Sequence, residues 1–288
     1  MAALSESVVR KPSRLVLRPT RGWGDLRFAE LWEYRELLYF LTWSHVKVRY
    51  KQAVFGAGWA ILQPLLTAMV FTFFFGYLGR VGTDGQPYAL FSFSGLLPWT
   101  FFAQGVAQSA ETLVAHQNLI QKVFFPRLIL PLSAILAKTL DFAFGFLFLI
   151  VMMLYYGVAP DLSAAYLAPM LLYLLSVSSA AGIWLSVLNV AYRDVHHLVP
   201  FIVQIGLFVT PVIYPASRVG EKLTELGLPV WLYGLNPMVG GVEGFRWSVF
   251  GGTPPLTFII TGLAVTIPLL ISGVIYFRRM ERTFADIV

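Results

Sequence analysis

The sequence predicts an all-α polytopic membrane protein with six transmembrane helices, an N-terminal interfacial helix and short re-entrant helices in the outer leaflet. The composition supports this class, because 57% of the 288 residues are hydrophobic and 12% are charged, against about 25% charged residues in soluble globular domains. Residues 52–79 carry no charge, and about 20 apolar residues suffice for a helix to cross a bilayer. The lysines and arginines are also concentrated on one side of the predicted spans.

The part of the chain before the first span is predicted to stay in the cytosol. Residues 1–26 form a basic segment that lacks the apolar region and cleavage site of a secretory signal peptide. Within residues 27–51, Leu31, Tyr34 and Leu38 fall on helical spacing between charged positions, which predicts an amphipathic helix in the membrane interface. A soluble helix packed on a partner protein is the alternative.

Six apolar stretches make up a predicted membrane domain at residues 52–277, followed by a cytosolic tail at 278–288. The predicted spans are about 54–79, 88–113, 128–157, 165–190, 196–214 and 256–277. No internal repeat of fixed period is visible, which argues against an inverted-repeat secondary transporter.

The distribution of positive charge predicts the orientation of these spans. Of the 21 lysines and arginines, 16 fall in the N-terminal part, the loops after spans two and four, and the tail, whereas four fall in the opposite loops. Because cytosolic loops carry the excess of positive charge, both termini are predicted to be cytosolic. We interpret the net charge of +6 as attraction to membrane lipid, and we expect no nucleic-acid partner.

The segment between spans five and six, about residues 215–255, is too charged and too often broken by glycine and proline to cross the membrane. Trp231, Tyr233 and Trp247 are aromatic residues typical of membrane interfaces, and they favour short re-entrant helices. An ordinary external loop is the alternative.

Motifs of several enzyme classes are absent from the sequence. It contains no GxxxxGK[ST] phosphate loop, no HExxH, no GxSxG and no cysteine. Asp194, His196 and His197 lie together, but adjacent histidines on a helix point about 100° apart and make a poor metal site. We therefore expect no catalytic residue and no metal, and uphill transport would need an ATPase on another chain.

Lys138 and Asp141 are ionisable residues inside the third predicted span. Such residues are costly in a membrane and often functional. Their spacing places them on one face of a helix, so they are either a substrate contact or hinge, or a pair whose charges neutralise each other. Glu111, at the end of span two, either pairs with a base on another helix or faces the cytosol.

Several segments resemble the permease subunits of type 2 ABC exporters, most of all those that export O-antigen, capsule and teichoic-acid polysaccharides. In chain order they are KVRYKQAVFGAGWAILQPLLTAMVFTFFFG, HQNLIQKVFFPR, YRDVHHLVPFIVQIGLFVTPVIYP, YGLNPMVGGVEGFRWSVFGG and ERTFADIV. The resemblance covers about residues 30–288.

The resemblance implies a homodimer that docks two copies of a separate ATPase, which would bind ATP and Mg while this chain holds no cofactor. It also implies that the cytosolic link between spans two and three is an ATPase-coupling element. The matching residues are Asn118, Leu119, Ile120, Gln121, Lys122, Phe124, Phe125, Pro126 and Arg127. On the outer side, the residues that match the family are Asn236, Pro237, Glu243 and Arg246.

Aromatic residues are concentrated in the first three spans, and sugar rings could slide along their flat apolar faces. The candidates for lining a polymer channel are Phe71, Phe74, Phe75, Tyr77, Tyr88, Phe91, Trp99 and Phe102. Ordinary packing and contact with lipid are the alternative roles of these rings.

The function implied by the resemblance is ATP-driven export of a lipid-linked, O-antigen-like polysaccharide from the cytosol across a bacterial inner membrane. Export of a drug or a small lipid by the same kind of transporter is one alternative. A proton-coupled secondary carrier is another, and it would need no ATPase.

Overall fold

A computed structural model describes residues 28–51, 58–192 and 194–281, and every regular element in these residues is helical. The α-helices are α1 (Phe28–Glu33), α2 (Arg35–Tyr50), α3 (Gly58–Phe71), α4 (Tyr88–Ala115), α5 (Gln117–Lys122), α6 (Ile129–Tyr156), α7 (Leu167–Ala191), α8 (Val195–Val209), α9 (Ala216–Glu225), α10 (Pro237–Phe250) and α11 (Leu256–Met280). A π-helical segment, Thr72–Leu78, continues α3, and 3-10 helices at Leu162–Tyr166 and Val230–Leu235 precede α7 and α10. The predicted N-terminal segment 1–26 and most of the predicted tail lie outside the described residues.

Proline and glycine delimit several of these helices. Pro87, Pro215 and Pro255 stand directly before α4, α9 and α11, where a missing N–H group breaks no helical hydrogen bond. Gly157 follows α6 with a φ of 70°, a left-handed conformation that glycine adopts without steric cost. These helix ends therefore follow from the local sequence.

Four helical stretches are long and apolar enough to cross a membrane: Gly58–Leu78, Ile129–Tyr156, Leu162–Ala191 and Leu256–Met280. They coincide with predicted spans one, three, four and six, and they confirm the class of an all-helical membrane protein. The helix at predicted span two, α4, has 28 residues but is not among the most apolar. The helix at predicted span five, α8, has 15 residues.

The moderate hydropathy of α4 follows from its place in the bundle. It packs against α3, α6, α7, α8 and α10, and its residues from Leu90 to Trp99 are all buried, including Ser92 and Ser94. Small and polar residues are common where membrane helices pack on one another. A helix that faces protein on most sides does not need a fully apolar surface.

The helix at predicted span five ends earlier than its apolar pattern suggests, at Val209 rather than 214. Pro211 and Pro215 lie in the following non-helical segment and have no N–H group to donate. After this break come α9, a 3-10 helix and α10, and most residues of α10 are buried against α4, α7 and α11.

The predicted interfacial helix is divided in two, since Tyr34 separates α1 from α2. One side of α2 buries Leu41 and Val46, while Tyr39 and Phe40 on the other side are exposed. This division of faces agrees with an amphipathic helix, and α2 packs mainly against α6.

Buried side chains form two main clusters, which we call the first and second cores. The first core includes Phe93, Phe142, Tyr173 and Phe245 and holds α4, α6, α7 and α10 together. The second core lies at the other end of α4 and α6 and includes Leu41, Leu113, Ile120, Phe125 and Phe277. Side chains of α2, α5 and α11 therefore meet in the second core.

Candidate functional site

The predicted coupling element is a short helix and a turn between α4 and α6, residues 116–127, which we call the coupling segment. Within it, Ile120 and Phe125 are 4% exposed and belong to the second core, whereas Phe124 is 75% exposed. Asn118, Gln121 and Lys122 are exposed, Leu119 and Arg127 are half-buried, and Pro126 is buried. The segment thus presents one aromatic side chain outward from a firmly packed base.

The local sequence explains this conformation. His116 interrupts the helix between α4 and α5 with a φ of −107°, and its Nδ1 lies 2.9 Å from the carbonyl oxygen of Thr112. Val123 is extended, and Pro126, which cannot continue a preceding helix, directs the chain into α6. After Val123, Phe124 is exposed while Phe125 turns into the second core.

The end of the coupling segment is bonded to the end of α11. The backbone N–H of Arg127 donates to Glu281 Oε1 at 2.8 Å, and the Arg127 guanidinium donates to the backbone carbonyl of Glu281. Arg278 Nη1 lies 3.3 Å from Glu281 Oε2 and 3.4 Å from Glu30 Oε2 of α1. These four residues join the coupling segment to the first and last helices.

Lys138 and Asp141 lie in a larger charge cluster than the sequence predicts. Lys138 Nζ is 3.7 Å from Asp141 Oδ2, but Arg49 Nη1, at the end of α2, is 2.6 Å from the same oxygen. The Tyr50 hydroxyl donates to Asp141 Oδ1. One carboxylate therefore faces two cations and attaches the end of α2 to α6.

Glutamines extend this cluster across the bundle. Arg49 Nη1 donates to Gln104 Oε1 at 3.1 Å, and Gln104 Nε2 donates to Gln63 Oε1 at 3.3 Å. Lys138 and Asp141 also line a cavity of about 20 Å³ between α3, α4 and α6, which has room for one water molecule. The cluster thus links α2, α3, α4 and α6 through polar side chains.

His45 of α2 adjoins the cluster and is held neutral. Burial is the main reason that the pKa of His45 falls from 6.5 to about 4, and the charges of His116 and Lys138 contribute to the same shift. Gln108 Nε2 lies 3.2 Å from His45 Nδ1, which suits an acceptor nitrogen on a neutral imidazole. The His45 ring is therefore neutral near neutral pH.

A second polar cluster lies around Arg246, one of the predicted outer residues. Its guanidinium is 5% exposed, and Nη1 donates to Glu243 Oε1 at 2.9 Å. It also donates to the carbonyl oxygens of Pro211 at 2.5 Å, Val212 at 2.7 Å and Phe91 at 3.3 Å. Because Pro211 and Val212 follow the end of α8, the guanidinium satisfies carbonyl groups that have no helical partner.

Asn236 and Pro237 begin α10 below this cluster. The Asn236 side chain accepts a hydrogen bond from the N–H of Met238 at 3.1 Å and donates to Thr210 Oγ1 at 3.0 Å. The Tyr173 hydroxyl donates to the carbonyl oxygen of Pro237 at 2.8 Å. The predicted outer residues thus fix α10 to α7 and to the break after α8.

The aromatic channel candidates divide by exposure. Phe71 and Trp99 are buried in the first core, and Phe75, Tyr88 and Phe102 are half-buried against it. Phe91 is also buried, with the Arg246 guanidinium over its ring. Phe74 and Tyr77 are 55% and 76% exposed. Only the last two present most of their surface outside the described chain.

The structure brings several residues into these sites that the sequence did not single out, and four of them carry main contacts. Phe73 is 55% exposed and stacks on Tyr77 with ring centroids 6.3 Å apart, and its signal was membership of the same FTFFFGY run. Arg49 and Tyr50 lie just before the first span, and the positive charge of Arg49 was the one sign in the sequence of a partner for Asp141. Glu281 lies in the closing ERTFADIV segment, and nothing in that local sequence indicates Arg127 as its partner.

The described residues contain no group of three or more His, Asp and Glu side chains that could hold a metal ion. His196 Nδ1 lies 3.4 Å from Glu111 Oε1, with both side chains more than half exposed. The partner of Glu111 on α8 is therefore His196, and the two form an ion pair only when His196 is protonated.

The chain is similar in sequence to a known protein family and to several named proteins. A family model described as "ABC-2 type transporter" matches residues 36–250. An O-antigen export system permease protein of Klebsiella pneumoniae is 30% identical over 258 residues, which are 88% of this chain and 95% of the relative. A protein of the same name from Myxococcus xanthus is 28% identical over 258 residues, covering 89% and 97% of the two chains. A polysialic acid transport protein of Escherichia coli is 21% identical over 243 residues, covering 82% and 90%.

Proposed function

Because the chain belongs to the ABC-2 type transporter family, we propose that it is the transmembrane subunit of an ATP-driven exporter that moves a lipid-linked, O-antigen-like polysaccharide out of the cytosol. The family match confirms the resemblance found in the sequence. The observation that carries the proposal is alignment over 95% and 97% of two O-antigen export permeases. The relative named for polysialic acid transport supports a polysaccharide cargo over a drug or a small lipid.

The energy for export comes from a separate ATPase. The sequence has no phosphate loop, so ATP and Mg are bound by the partner, and this chain supplies no cofactor site. The coupling segment suits the contact, because Phe124 is an exposed aromatic ring beside the exposed Lys122. A buried aromatic anchor with a cation at its rim is typical of protein interfaces.

In the bacterial inner membrane the chain makes six spans with both termini in the cytosol. The four most apolar helical stretches are joined by α4, which neighbouring helices shield from lipid, and by α8 with the break after it. This arrangement keeps 16 of the 21 lysines and arginines on the cytosolic side. It places α9 and α10 at the outer leaflet as re-entrant helices and α1 and α2 in the inner interface.

A second copy of the chain covers the exposed apolar sides of α3 and α8. Both helices lie on α4, and α8 exposes Leu198, Phe201, Ile202, Ile205, Phe208 and Val209. The non-helical backbone after Val209 needs protein or water around it, because lipid offers no hydrogen bonds. A homodimer through this face supplies that protein, and each copy docks one ATPase.

The polymer passes between the two copies, along rings at the outer end of the first span. Phe73, Phe74 and Tyr77 are exposed next to the α3 face and offer flat apolar surfaces to sugar rings. Phe91 and Trp99 support the bundle from within rather than line the path, since both are buried.

Substitution of Phe124 by alanine tests the proposal in cells that lack the native copy of this chain. The variant should insert normally but bring about tenfold less polysaccharide to the cell surface, because truncating a buried interface anchor costs at least about 1 to 2 kcal/mol. The measurement is surface polysaccharide by immunoblot, normalised to the amount of the chain in the membrane.

Tyr155→Ala is the matched control, since Tyr155 is 83% exposed but lies at the other end of α6. It should export at the native level. Undiminished export by Phe124→Ala would contradict the coupling role. Normal surface polysaccharide in cells without the chain would contradict the function itself.

A further inference from the structure

The closing part of the sequence contains Glu281, which the proposed function leaves without a role. Glu281 directly follows α11 and is half-buried. Its carboxylate lies just before the beginning of α6, where it accepts the N–H of Arg127, two residues ahead of Ile129, at 2.8 Å. A negative charge at this end of a helix is favoured, because unbonded N–H groups and the helix dipole make it positive.

The bonding between the two helix ends is reciprocal. While the Glu281 side chain accepts from the beginning of α6, the Arg127 guanidinium donates to the main-chain carbonyl of Glu281 at the end of α11. Carbonyl groups at a helix C-terminus lack helical donors and attract cations. Arg127 therefore bonds the end of α11, and Glu281 bonds the chain directly before α6.

Two further contacts strengthen this connection. Arg278, three residues before Glu281, contacts both Glu281 Oε2 and Glu30 Oε2 of α1. Beneath these polar groups, Phe125 of the coupling segment and Phe277 of α11 are buried in the second core, at 4% and 0% exposure. The coupling segment is thus attached to the last helix by charged, hydrogen-bonded and apolar contacts together.

We propose that Glu281 is a positioning residue for coupling, which holds the coupling segment against α11 so that a displacement imposed by the ATPase reaches the last helix and α1. This inference rests on the proposed function. Without Glu281, the ATPase still binds Phe124 and hydrolyses ATP. The displaced segment then moves without α11, and fewer hydrolysis events move polymer.

The test uses the full chain with its ATPase, reconstituted in lipid vesicles that contain the lipid-linked polysaccharide. Polymer translocated per ATP hydrolysed is measured for the native chain and for Glu281→Ala. We expect this ratio to fall about fivefold or more, with the amount of bound ATPase unchanged. Glu281→Gln keeps an oxygen that accepts the Arg127 N–H, so it should restore part of the ratio.

Two comparisons separate positioning from stability. Glu225→Ala removes a glutamate that pairs with Lys222 at 2.6 Å on exposed α9, and it should leave the ratio unchanged. Arg127→Ala combined with Glu281→Ala should lower the ratio no further than Glu281→Ala alone, because both side chains serve one connection.

The inference is overturned if Glu281→Ala transports as much polymer per ATP as the native chain. It is also overturned if translocation, hydrolysis and unfolding temperature all fall in proportion, which would mark a purely structural role. Failure of the proposed function looks different, since the native complex itself would then show no ATP-dependent translocation.

Discussion

Arg246 illustrates at the residue scale how a broken helix is tolerated inside a membrane protein. The guanidinium reaches the carbonyl oxygens of Pro211 and Val212, which no backbone N–H satisfies in the described residues. An unsatisfied carbonyl in an apolar environment costs several kcal/mol. The buried Arg246 therefore stabilises the break after α8, and the same carbonyl oxygens together with Glu243 offset the cost of burying its charge.

Gly95 of α4 leaves the space that Arg246 occupies. A Cβ at this position would overlap the Arg246 guanidinium and lie 3.0 Å from the carbonyl oxygen of Val212. Gly95→Ala should therefore lower the free energy of unfolding by about 1 to 3 kcal/mol, measured by thermal unfolding in detergent. Gly105→Ala, on the same helix, would meet nothing closer than 3.8 Å, and it should be neutral or slightly stabilising. Equal stability of the two variants would contradict the packing described for Arg246.

His45 makes stability dependent on pH. Its pKa is about 4 in the folded chain and 6.5 as the ordinary value, so the unfolded chain binds a proton that the folded chain does not between these values. The free energy of unfolding is therefore unaffected by His45 above about pH 6.5, and it decreases as the pH falls from 6.5 toward 4. His45→Gln should flatten the unfolding temperature against pH in this window, whereas His197→Gln, at an exposed position, should not. An unchanged profile in His45→Gln would show that another group titrates.

At the scale of elements, the charge cluster of Arg49, Lys138 and Asp141 fastens the end of α2 to α6. The carboxylate lies 2.6 Å from Arg49 and 3.7 Å from Lys138, and neutralising it leaves two partly buried cations facing each other. Asp141→Asn should destabilise the chain by about 1 to 3 kcal/mol, measured by thermal unfolding in detergent.

A second substitution checks the electrostatic origin of that loss. Combining Asp141→Asn with Lys138→Met removes the surplus cation, and it should recover part of the lost stability. A double variant less stable than Asp141→Asn alone would show that the cluster acts through packing rather than charge.

The sequence pattern predicts elements whose signal is local and misses contacts that depend on distant partners. Spacing placed Lys138 and Asp141 on one face of α6, and the charge-free residues 52–79 predicted the first span. The ion pair from Arg49 joins residues 92 positions apart by way of tertiary packing that no local pattern encodes. The carbonyl partners of Arg246 likewise come from α4 and from the break after α8.

Hydropathy identified four of the predicted spans but not the one formed by α4. The helices with exposed apolar faces, α6 and α11, satisfy the criterion of length and apolarity, whereas α4 does not, because its neighbours bury it. Phe124 is exposed and the adjacent Phe125 is buried, although the two side chains are identical. Burial of aromatic residues therefore had to be observed and could not be predicted from composition.

At the scale of the whole molecule, the two cores share α4 and α6 but join them to different elements. The first core fixes α4, α6, α7 and α10, and the second core joins the coupling segment to α2 and α11. Both cores include parts of α4 and α6. The coupling segment is therefore packed, through Ile120 and Phe125, against the same end of α4 and α6.

The central claim is that this chain exports a polysaccharide with energy from a separate ATPase. The most direct measurement is translocation of lipid-linked polysaccharide into sealed vesicles that contain the chain and its ATPase, with ATP or a non-hydrolysable analogue. We predict translocation with ATP only, loss of translocation when the ATPase is omitted, and strong reduction with Phe124→Ala. Translocation driven by a proton gradient in vesicles without the ATPase would contradict the account.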